Sequence, residues 1–435
     1  MKRVVITGIG VVTPLGNNIR TTWENLTKSS SGIAPITKFD PRSAAFPSKI
    51  AGELKSFSAE DYIPPKDVLR LDPFIYYAAA AAIMAVEDAG LISRGSGVRG
   101  QGEVNHLSLV TRYSSLDSAG VIIGSSRGGI MSMEKAITRA QSTEHRTQNT
   151  TSRFSAYLMS STTISMASSY ISMRLGIKGP VLGMSTACAS GTNAIGEAFR
   201  LIRYGEIDMA LAGGSEAPIC KLTVGSYGAA GVLSKRNHEP QKASRPFDKD
   251  RDGFVIAEGA GIIVLEELNH ALKRGARIYA ELSGYGTSSD AFHQTKPDSS
   301  GQAIAINKAL KDTGISVDEV DYINAHATST ILGDKAETEA IRKVFGKYAD
   351  KIAVSSTKSM LGHMLGASGA VEAAITALSI SKGVIIPTIN LETPDHDCKL
   401  NHVTTLLHKE IKIAISNSFG FGGVNAVLAL KKFEG

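Results

Sequence analysis

One cysteine lies in a setting that would make its sulfur a nucleophile. Cys188 is in the segment MSTACASGTN, among small residues and just before a stretch with the apolar spacing of a helix. The free N–H groups and positive dipole end of a helix favour thiolate over thiol. Small neighbours let a substrate carbonyl approach and leave backbone N–H groups to bind an oxyanion. A lone cysteine is more often a buried hydrophobic residue, but in this context a nucleophile is at least as well supported as a packing role.

Two histidines in the C-terminal part of the chain are candidate partners for this cysteine. His326 lies in NAHATST, and His363 ends SSTKSMLGH, ahead of a helical stretch that carries Glu372. Both follow predicted strands and precede loops of small residues, where α/β proteins usually place their chemistry. The rival interpretation is a His, His, Cys zinc site. The chain has no H-x-x-H or H-x-x-x-H spacing, so we expect no metal.

The segment SNSFGFGGVN lies between two predicted strands near the C-terminal end of the sequence. A flexible hairpin is the simplest interpretation. The alternation of Phe and Gly around Phe419 and Phe421 also fits a tight turn. Such a turn would present N–H groups to a ligand while a phenylalanine acts as a movable wall.

These segments need elements to position them, and the hydrophobic pattern predicts short strands alternating with longer helices. Strands are predicted over residues 4–7, 208–212, 261–266, 278–283, 321–324, 352–356 and 411–416. Helices are predicted over residues 78–89, 193–204, 303–313 and 370–382. This order favours a layered α/β fold.

Two stretches predict breaks in this order. Residues 93–105 and the following LSLVTRYSSLDSAG are predicted to be a loop or an insertion. The run LNHALKRGAR (residues 268–277) separates two strand-rich parts. We therefore predict two units, 1–272 with the cysteine and 273–435 with the two histidines.

The composition describes a globular chain with a mildly basic surface. The 435 residues are 43% hydrophobic and 20% charged, with a formal net charge of +6. Basic residues are scattered, with no run of five like charges, so the charge fits an acidic partner or an ordinary surface and predicts no nucleic-acid partner.

The cysteine count and the apolar runs indicate the compartment. Three cysteines without C-x-x-C spacing predict neither a disulfide framework nor a thiol zinc site. The longest apolar run, residues 74–86, is shorter than the roughly 18 residues that span a bilayer. The start MKRVVITGIG enters a predicted strand at once, so no targeting peptide and no membrane partner are expected. We expect the cytoplasm, or the stroma or matrix of an organelle.

Taken together, the motifs resemble the β-ketoacyl synthases, the condensing enzymes of fatty acid synthesis. The resemblance runs from VVITGIGVVTPLGN to SNSFGFGGVNA and includes the long match ASRPFDKDRDGFVIAEGAGIIVLEE (residues 243–267). It implies the thiolase fold, in which two similar halves form five layers (α-β-α-β-α), and a homodimer. It also implies an acyltransferase that elongates acyl chains carried by acyl carrier protein.

The resemblance assigns roles to the catalytic candidates. Cys188 would take the acyl chain from the phosphopantetheine of the carrier protein. His326 and His363 would bind the malonyl thioester carbonyl and promote loss of CO2, while Lys358 and Glu372 would orient and charge-balance His363. No metal or redox cofactor is implied, since the substrates arrive on phosphopantetheine.

Further roles follow from the same resemblance. The backbone N–H groups of Cys188 and Phe419 would hold the tetrahedral oxyanion, with Phe419 as the gate and Phe421 beside it. Thr328 and Thr330 would contact pantetheine. Asp290 and His293 match positions near the pocket whose roles the residue types leave open.

Carrier proteins are acidic, so a basic docking surface is expected. Lys66 and Arg70 match the family's docking helix, but Leu69 stands where a basic residue is usual. A second family arginine is replaced by Gly231, although two basic residues follow it closely, Lys235 and Arg236. Ordinary surface charge remains an equal interpretation for each.

One departure concerns the acyl pocket. In GSSRGG (residues 124–129) the fourth residue, usually apolar in the family and near the dimer interface, is Arg127. A guanidinium facing an alkyl tail is costly unless it is paired. As a hypothesis, Arg127 either turns into the dimer interface or shortens the pocket, which leaves the preferred chain length open.

Three other functions are alternatives to the elongating enzyme. A ketosynthase of a polyketide or specialised acyl pathway fits Arg127 and the weakened docking surface. A degradative thiolase would need a second cysteine as base, and Cys398 lies outside any matching motif. A non-catalytic shaping subunit would typically lack the nucleophile, so Cys188 argues against it.

Overall fold

Strands and helices alternate along the computed structural model, which describes residues 1–43, 45–94, 109–111, 116–142 and 155–435. The strands, in chain order, are β1 (Val4–Val12), β2 (Ala34–Pro35), β3 (Ile50–Ala51), β4 (Ile92–Arg94), β5 (Leu109–Thr111), β6 (Gly120–Gly124), β7 (Val181–Met184), β8 (Met209–Glu216), β9 (Gly259–Glu267), β10 (Ala280–Ser289), β11 (Tyr322–Asn324), β12 (Ala353–Ser355), β13 (Val384–Ile385), β14 (Asn401–His402), β15 (Leu407–His408), β16 (Ile413–Gly420) and β17 (Val424–Lys431). The helices are α1 (Ile19–Thr27), α2 (Pro65–Val68), α3 (Pro73–Asp88), α4 (Ile130–Ser142), α5 (Leu158–Thr162), α6 (Met166–Leu175), α7 (Ser190–Arg203), α8 (Lys221–Ala229), α9 (Leu268–Lys273), α10 (Ser299–Thr313), α11 (Ile331–Phe345), α12 (Lys358–Leu361) and α13 (Ser368–Lys382).

The main sheet contains the same strand order twice. Its order is β14-β12-β11-β16-β17-β10-β1-β9-β8-β6-β7. The strands fall into two sets of five, the first being β1, β6, β7, β8 and β9 and the second being β10, β11, β12, β16 and β17. Outwards from the middle of the sheet, the first set runs β1-β9-β8-β6-β7 and the second runs β10-β17-β16-β11-β12. In both sets the strands therefore follow the order first, fifth, fourth, second and third along the chain. The sets meet where β1 pairs antiparallel with β10, for example Val4 with Leu282. The two halves implied by the family resemblance are thus topological duplicates.

Helices form three layers, one between the two strand sets and one on each outer face, and a hydrophobic core lies at each of these helix layers. The central core joins α7 and α13 to the inner faces of both strand sets. One outer core packs α3 and α6 on the first set, and the other packs α10 and α11 on the second. This gives the predicted five-layered α/β thiolase fold.

Small residues bring these layers close together. Helix α3 reads PFIYYAAAAAIMAVED and is buried along most of its length, because alanine lets a helix approach a sheet on several sides. On the strand side, a Cβ at Gly10 would collide with the Ala81 carbonyl oxygen. The buried helix α13 likewise has several alanines and the glycine Gly369 on its surface.

The predicted elements are present with shifted ends. The helix predicted from residue 78 begins at Pro73, because Asp72 caps it by accepting the Phe74 N–H at 3.2 Å. The short strands β6 and β7 were not predicted. Strands β4 and β5 form a ribbon where a loop was expected. Residues 95–108 and 112–115 of that predicted loop lie outside the described residues, and its last part, residues 116–119, is a turn that leads into β6.

The predicted boundary at residues 268–277 contains α9, between the last strand of one set and the first of the other. The division at 272/273 stays a prediction, since the sheet and the central core run across it. No helix within the described ranges has the length and apolar character needed to cross a membrane.

Candidate active site

Cys188 lies in a tight turn between β7 and α7, just before the helix cap Ala189. Ala187 has a φ of 49°, a left-handed conformation that is costly for any residue with a Cβ and most costly for branched or bulky side chains. The Ser190 hydroxyl fixes this turn, because it donates to the Ala187 carbonyl at 2.6 Å and accepts the Thr186 N–H at 2.9 Å. The turn therefore presents the sulfur at the N-terminus of α7, as the sequence predicted.

The environment of the sulfur favours the thiol in the resting protein. Burial raises the pKa of Cys188 to about 11, while the positive charge of Lys358, the backbone N–H of Phe421 and Arg127 act in the opposite direction. Thiolate formation is therefore tied to what binds in the cavity.

The imidazole of His363 lies against this sulfur. Its Nε2 lies 3.1 Å from Cys188 Sγ, and its Nδ1 lies 3.0 Å from the Ser368 hydroxyl. The backbone is held on both sides, since the His363 N–H donates to Val255 O at 2.7 Å and its carbonyl accepts from Ala257 at 2.9 Å. The imidazole is thus fixed at the ring and at the main chain.

His326 completes a cluster with Cys188 and His363. Its ring meets the His363 ring edge to face, with centroids 5.3 Å apart. Its Nδ1 is buried and has no partner among the described residues. Burial, with the nearby charge of Lys358, lowers the pKa of both histidines well below the usual 6.5. Both rings are therefore neutral at physiological pH and each carries one N–H.

Lys358 forms a buried ion pair with Glu372. The Lys358 ammonium donates to Glu372 Oε1, while Oε2 has no partner among the described residues. Burial raises the pKa of Glu372 to about 7, against the effect of Lys358. The hydrogen bonds of the described residues do not join Lys358 to His363, so its influence on both rings is electrostatic.

The Phe-Gly segment forms one wall of a cavity of about 400 Å³. Phe419 is buried at the end of β16, with its ring 6.0 Å from the His326 ring. Gly422 and Gly423 have positive φ values of 83° and 70° in the turn before β17. The cavity is lined, among others, by Cys188, His326, His363, Phe419, Phe421, Thr328 and Thr330.

A second loop holds this turn in place. Asp290 donates its N–H to the Gly423 carbonyl at 2.8 Å, and Gly422 donates to the Gln294 carbonyl at 2.7 Å. Asp290 also lines the cavity. His293 is exposed, and its Nδ1 accepts the Thr295 and Lys296 N–H groups.

Thr328 and Thr330 lie together on the cavity wall. Their hydroxyl oxygens are 3.1 Å apart. The Thr330 hydroxyl also caps α11 by accepting the Gly333 N–H at 3.2 Å.

Arg127 is half-buried and reaches Tyr227, which lines the cavity. Its guanidinium donates to the Tyr227 hydroxyl at 2.6 Å and lies 5.4 Å from the ring centroid. Its backbone N–H donates to Glu216 Oε1 at 2.9 Å. Burial raises the pKa of Glu216 to about 7. The cation is thus hydrogen-bonded to a neutral phenol at the cavity.

The basic residues considered for docking lie at two places. Lys66 is exposed on α2, and the exposed Arg70 after it stacks on the Tyr157 ring at 4.8 Å. Gly231 lines the cavity, and Lys235 nearby is exposed. Arg236 is partly buried and donates to the Asp250 carbonyl at 2.9 Å.

Three supporting residues were missed by the sequence reasoning: Ser368, Glu216 and Glu337. Glu337 accepts the N–H groups of His326 and Ala327 at 2.9 and 2.7 Å, and the Asn417 amide at 2.9 Å. A signal existed for it, because Glu337 lies on the buried face of α11 together with Ala340 and Ile341. A carboxylate on an apolar helix face needs a partner.

The sulfur and the two imidazoles form a compact set. One donor atom from each of Cys188, His326 and His363 lies within 4.8 Å of the others. Such a set can bind a soft divalent metal, but it can also place two N–H donors against a group bonded to the sulfur. The expectation of no metal and no cofactor therefore stays a prediction.

Comparisons with known proteins match both halves of the chain. The family model "Beta-ketoacyl synthase, N-terminal domain" matches residues 1–271, and "Beta-ketoacyl synthase, C-terminal domain" matches residues 279–392. The 3-oxoacyl-[acyl-carrier-protein] synthase 2 of Synechocystis is 44% identical over 436 residues, covering 100% of this chain and 99% of that protein. The protein of the same name from Coxiella burnetii is 43% identical and covers 99% of each chain.

Solved structures of ketosynthases are also similar to this chain over its whole length. The ishigamide ketosynthase/chain length factor has a TM-score of 0.88 at 34% identity and covers 100% of both chains. A type II polyketide synthase acyl-carrier protein in complex with its ketosynthase gives a TM-score of 0.86 at 35% identity, covering 99% of this chain and 100% of that one.

Proposed function

This chain belongs to the β-ketoacyl synthase family, and from that premise we propose that it elongates acyl chains in fatty acid biosynthesis. It condenses an acyl group held on Cys188 with malonyl-acyl carrier protein, releases CO2 and yields 3-oxoacyl-acyl carrier protein. The observation that carries this proposal is the placement of His363 Nε2 3.1 Å from the sulfur, with His326 beside it in one cavity.

The first step loads the acyl chain. The Cys188 sulfur adds to the thioester carbonyl of the acyl carrier, and the pantetheine sulfur leaves with the proton that the thiol gave up. The Phe421 N–H near the sulfur and the charge of Lys358 favour the thiolate in this step. The acyl chain then occupies the cavity as a Cys188 thioester.

The second step removes CO2 from the malonyl group. The bond to the carboxylate carbon breaks, CO2 departs, and its electron pair moves into the thioester carbonyl as an enolate. His326 and His363 each donate an N–H to that oxygen. Two fixed donors at a developing charge lower the barrier more than they stabilise the neutral substrate.

The third step forms the carbon–carbon bond. The enolate carbon attacks the Cys188 thioester carbonyl, and the tetrahedral oxyanion is held by the backbone N–H groups of Cys188 and Phe419. Collapse of this intermediate expels Cys188 as a thiolate, which takes up a proton from solvent to restore the thiol, and releases the product on its carrier. Loss of CO2 makes the sequence of steps irreversible.

Lys358 and Glu372 keep both imidazoles neutral in this scheme. The buried ammonium disfavours a second positive charge on either ring, and Glu372 balances the ammonium. Neutral rings keep one N–H each as a donor. The Phe419 side chain acts as the gate, with Phe421 beside it.

The partners follow from the same scheme. The pantetheine arm passes Thr328 and Thr330, and the carrier protein docks near Lys66 and Arg70. We infer a homodimer and a cytoplasmic site of action, supported by the family and by three free cysteines. The chemistry uses no cofactor beyond the phosphopantetheine that carries the substrates.

A second candidate is a ketosynthase of a polyketide or specialised acyl pathway. The observation favouring it is Arg127, whose guanidinium is hydrogen-bonded to Tyr227 at the cavity instead of an apolar side chain. A profile of rates across saturated, unsaturated and polyketide acyl carriers separates the two functions.

The experiment that tests the main proposal follows the mass of the protein. Wild type incubated with an acyl carrier protein should gain one acyl group, which Cys188→Ala should not, and malonyl carrier protein should then release 3-oxoacyl product. The matched control is Cys398→Ala, since Cys398 is buried in the outer core of the second half and should be dispensable. No acylation of wild type by an intact acyl carrier would refute the proposal.

A further inference from the structure

Ser368 is the first residue of the central helix α13 and is buried directly behind the His363 ring. Its hydroxyl oxygen accepts the Met364 N–H at 2.9 Å and lies 3.0 Å from His363 Nδ1. On the other side of the ring, Nε2 faces the Cys188 sulfur at 3.1 Å. A continuous polar path thus runs from a backbone amide through one hydroxyl and one imidazole to the nucleophile.

The hydrogen positions along this path follow from counting donors and acceptors. The Met364 amide can only donate, so it occupies one lone pair of the Ser368 oxygen. The Ser368 hydroxyl has one hydrogen to place, and among its hydrogen-bond partners in the described residues only His363 Nδ1 can accept it. If Nδ1 carried the ring proton instead, this buried hydroxyl hydrogen would have no acceptor, which is costly.

We propose that Ser368 is a positioning residue that holds His363 in the tautomer with its proton on Nε2. The inference rests on the proposed function for its catalytic consequence, but the tautomer itself is a property of the resting protein. His363 then faces the sulfur as a donor: it stabilises a thiolate and, after acylation, the enolate oxygen. It does not act as a base towards the thiol.

The second histidine provides an internal contrast. His326 Nδ1 is buried and has no partner among the described residues, so none of the side chains that the structure describes selects its tautomer. His363 is in this respect a fixed donor and His326 an adaptable one. Removal of the Ser368 hydroxyl should make the two rings alike.

The test reads the tautomer directly and then its effect. Protein labelled with ¹⁵N only at histidine is examined by long-range ¹H–¹⁵N correlation, with the His363 signals assigned from a His363→Asn variant. In wild type, His363 should show a protonated, pyrrole-type Nε2 and an unprotonated, pyridine-type Nδ1. In Ser368→Ala the two signals should move towards each other as the tautomers mix.

Kinetics supply the second readout. Ser368→Ala should lower the rate of malonyl carrier decarboxylation by about twofold or more, with KM unchanged, because evenly mixed tautomers leave one of the two donors present only half of the time. Ser368→Thr keeps the hydroxyl and should restore both the spectrum and the rate. Ser379→Ala removes from the same helix a buried hydroxyl that has no partner among the described residues, and it should change neither.

Two results would decide against the proposal. Ser368→Ala with a wild-type His363 spectrum would show that the hydroxyl does not select the tautomer. A spectrum with Nδ1 protonated in wild type would show the opposite assignment. A wild type that decarboxylates no malonyl carrier would refute the proposed function, whereas the spectrum would still report the tautomer.

Discussion

The two halves of this molecule share a strand order but carry different chemistry at equivalent points. After the third strand of the first set, the turn between β7 and α7 presents Cys188. After the third strand of the second set, the longer connection from β12 to α13 contains Lys358 and His363. Both connections lead into the two central helices, so the duplicated framework brings the nucleophile and its partner together from opposite sides.

The loops after the second strands show the same relation. After β6, the N–H groups of Ser126 and Arg127 donate to the buried Glu216. After β11, the N–H groups of His326 and Ala327 donate to the buried Glu337. A buried carboxylate thus holds each loop by two successive amides, while the side chain it presents differs. The framework fixes where a residue stands, and the residue type decides whether it shapes the pocket or takes part in the reaction.

The largest expected effect comes from the half that carries the histidines. His326→Asn and His363→Asn should each lower malonyl carrier decarboxylation by about 10² to 10³-fold, because each removes a donor from the enolate oxygen. Acylation of Cys188, followed by intact mass, should persist in both. The exposed His396→Asn is the control and should behave as wild type. An equal loss of acylation and decarboxylation would contradict the assignment of acylation to the half with Cys188 and of decarboxylation to the half with the histidines.

The next effect concerns the carboxylate of the first half. Burial raises the pKa of Glu216 to about 7, above its usual 4.5. Because the folded state holds this proton more tightly, the contribution of Glu216 to the unfolding free energy is greatest below pH 4.5 and is lost as the pH rises through 7. The loss should approach about 3 kcal/mol.

Urea unfolding at pH 5 and pH 8 measures this dependence. The free energy of unfolding of Glu216→Gln should change less between pH 5 and pH 8 than that of wild type, although the variant loses one acceptor oxygen. Glu60→Gln, a change at an exposed glutamate, should keep the wild-type dependence. An unchanged dependence in Glu216→Gln would show that this carboxylate is ionised throughout.

A smaller effect is expected from the pocket residue of the first half. Arg127→Leu removes the guanidinium from Tyr227 and leaves an apolar side chain, so dodecanoyl to hexadecanoyl carriers should gain about tenfold over hexanoyl carrier. Rates for each acyl carrier at fixed enzyme concentration give this ratio. If wild type already turns over long and short acyl carriers equally, Arg127 does not shorten the pocket.

The smallest effect belongs to the proposed docking surface. Lys66→Glu should raise the KM for malonyl carrier protein by about threefold at low salt, without changing kcat, because one exposed charge contributes little. Added salt should reduce the difference between variant and wild type. Lys347→Glu, on a basic residue of the other half, is the control.

The sequence indicated the candidate reacting residues more readily than the residues that hold them in place. The residues around Cys188, His326 and His363 are short motifs of unusual composition, and the family resemblance covers the whole chain. The fold class followed from the alternation of strands and helices. The duplicated strand order did not, because β6 and β7 are short and their pairing is set by contacts distant in sequence.

The supporting residues were harder to predict for a physical reason. The contact of Ser368 with His363 depends on the turn that follows the histidine, and serine is common at the start of any helix. The position of Cys188 at a helix N-terminus, which favours thiolate, was visible in the sequence, whereas its burial, which raises the pKa of Cys188 to about 11, is visible only in the folded protein. Local patterns report residue type, whereas burial is a property of the assembled layers.

The pairing of β1 with β10 has a consequence for how this protein folds. Because that pairing joins both strand sets in one sheet, and the central core contains residues of both, neither half has a complete interior of its own. The protein should unfold in a single cooperative transition, and a chain cut between the halves should yield fragments that recover activity only when they associate. The catalytic cluster is therefore assembled only when the entire chain is folded.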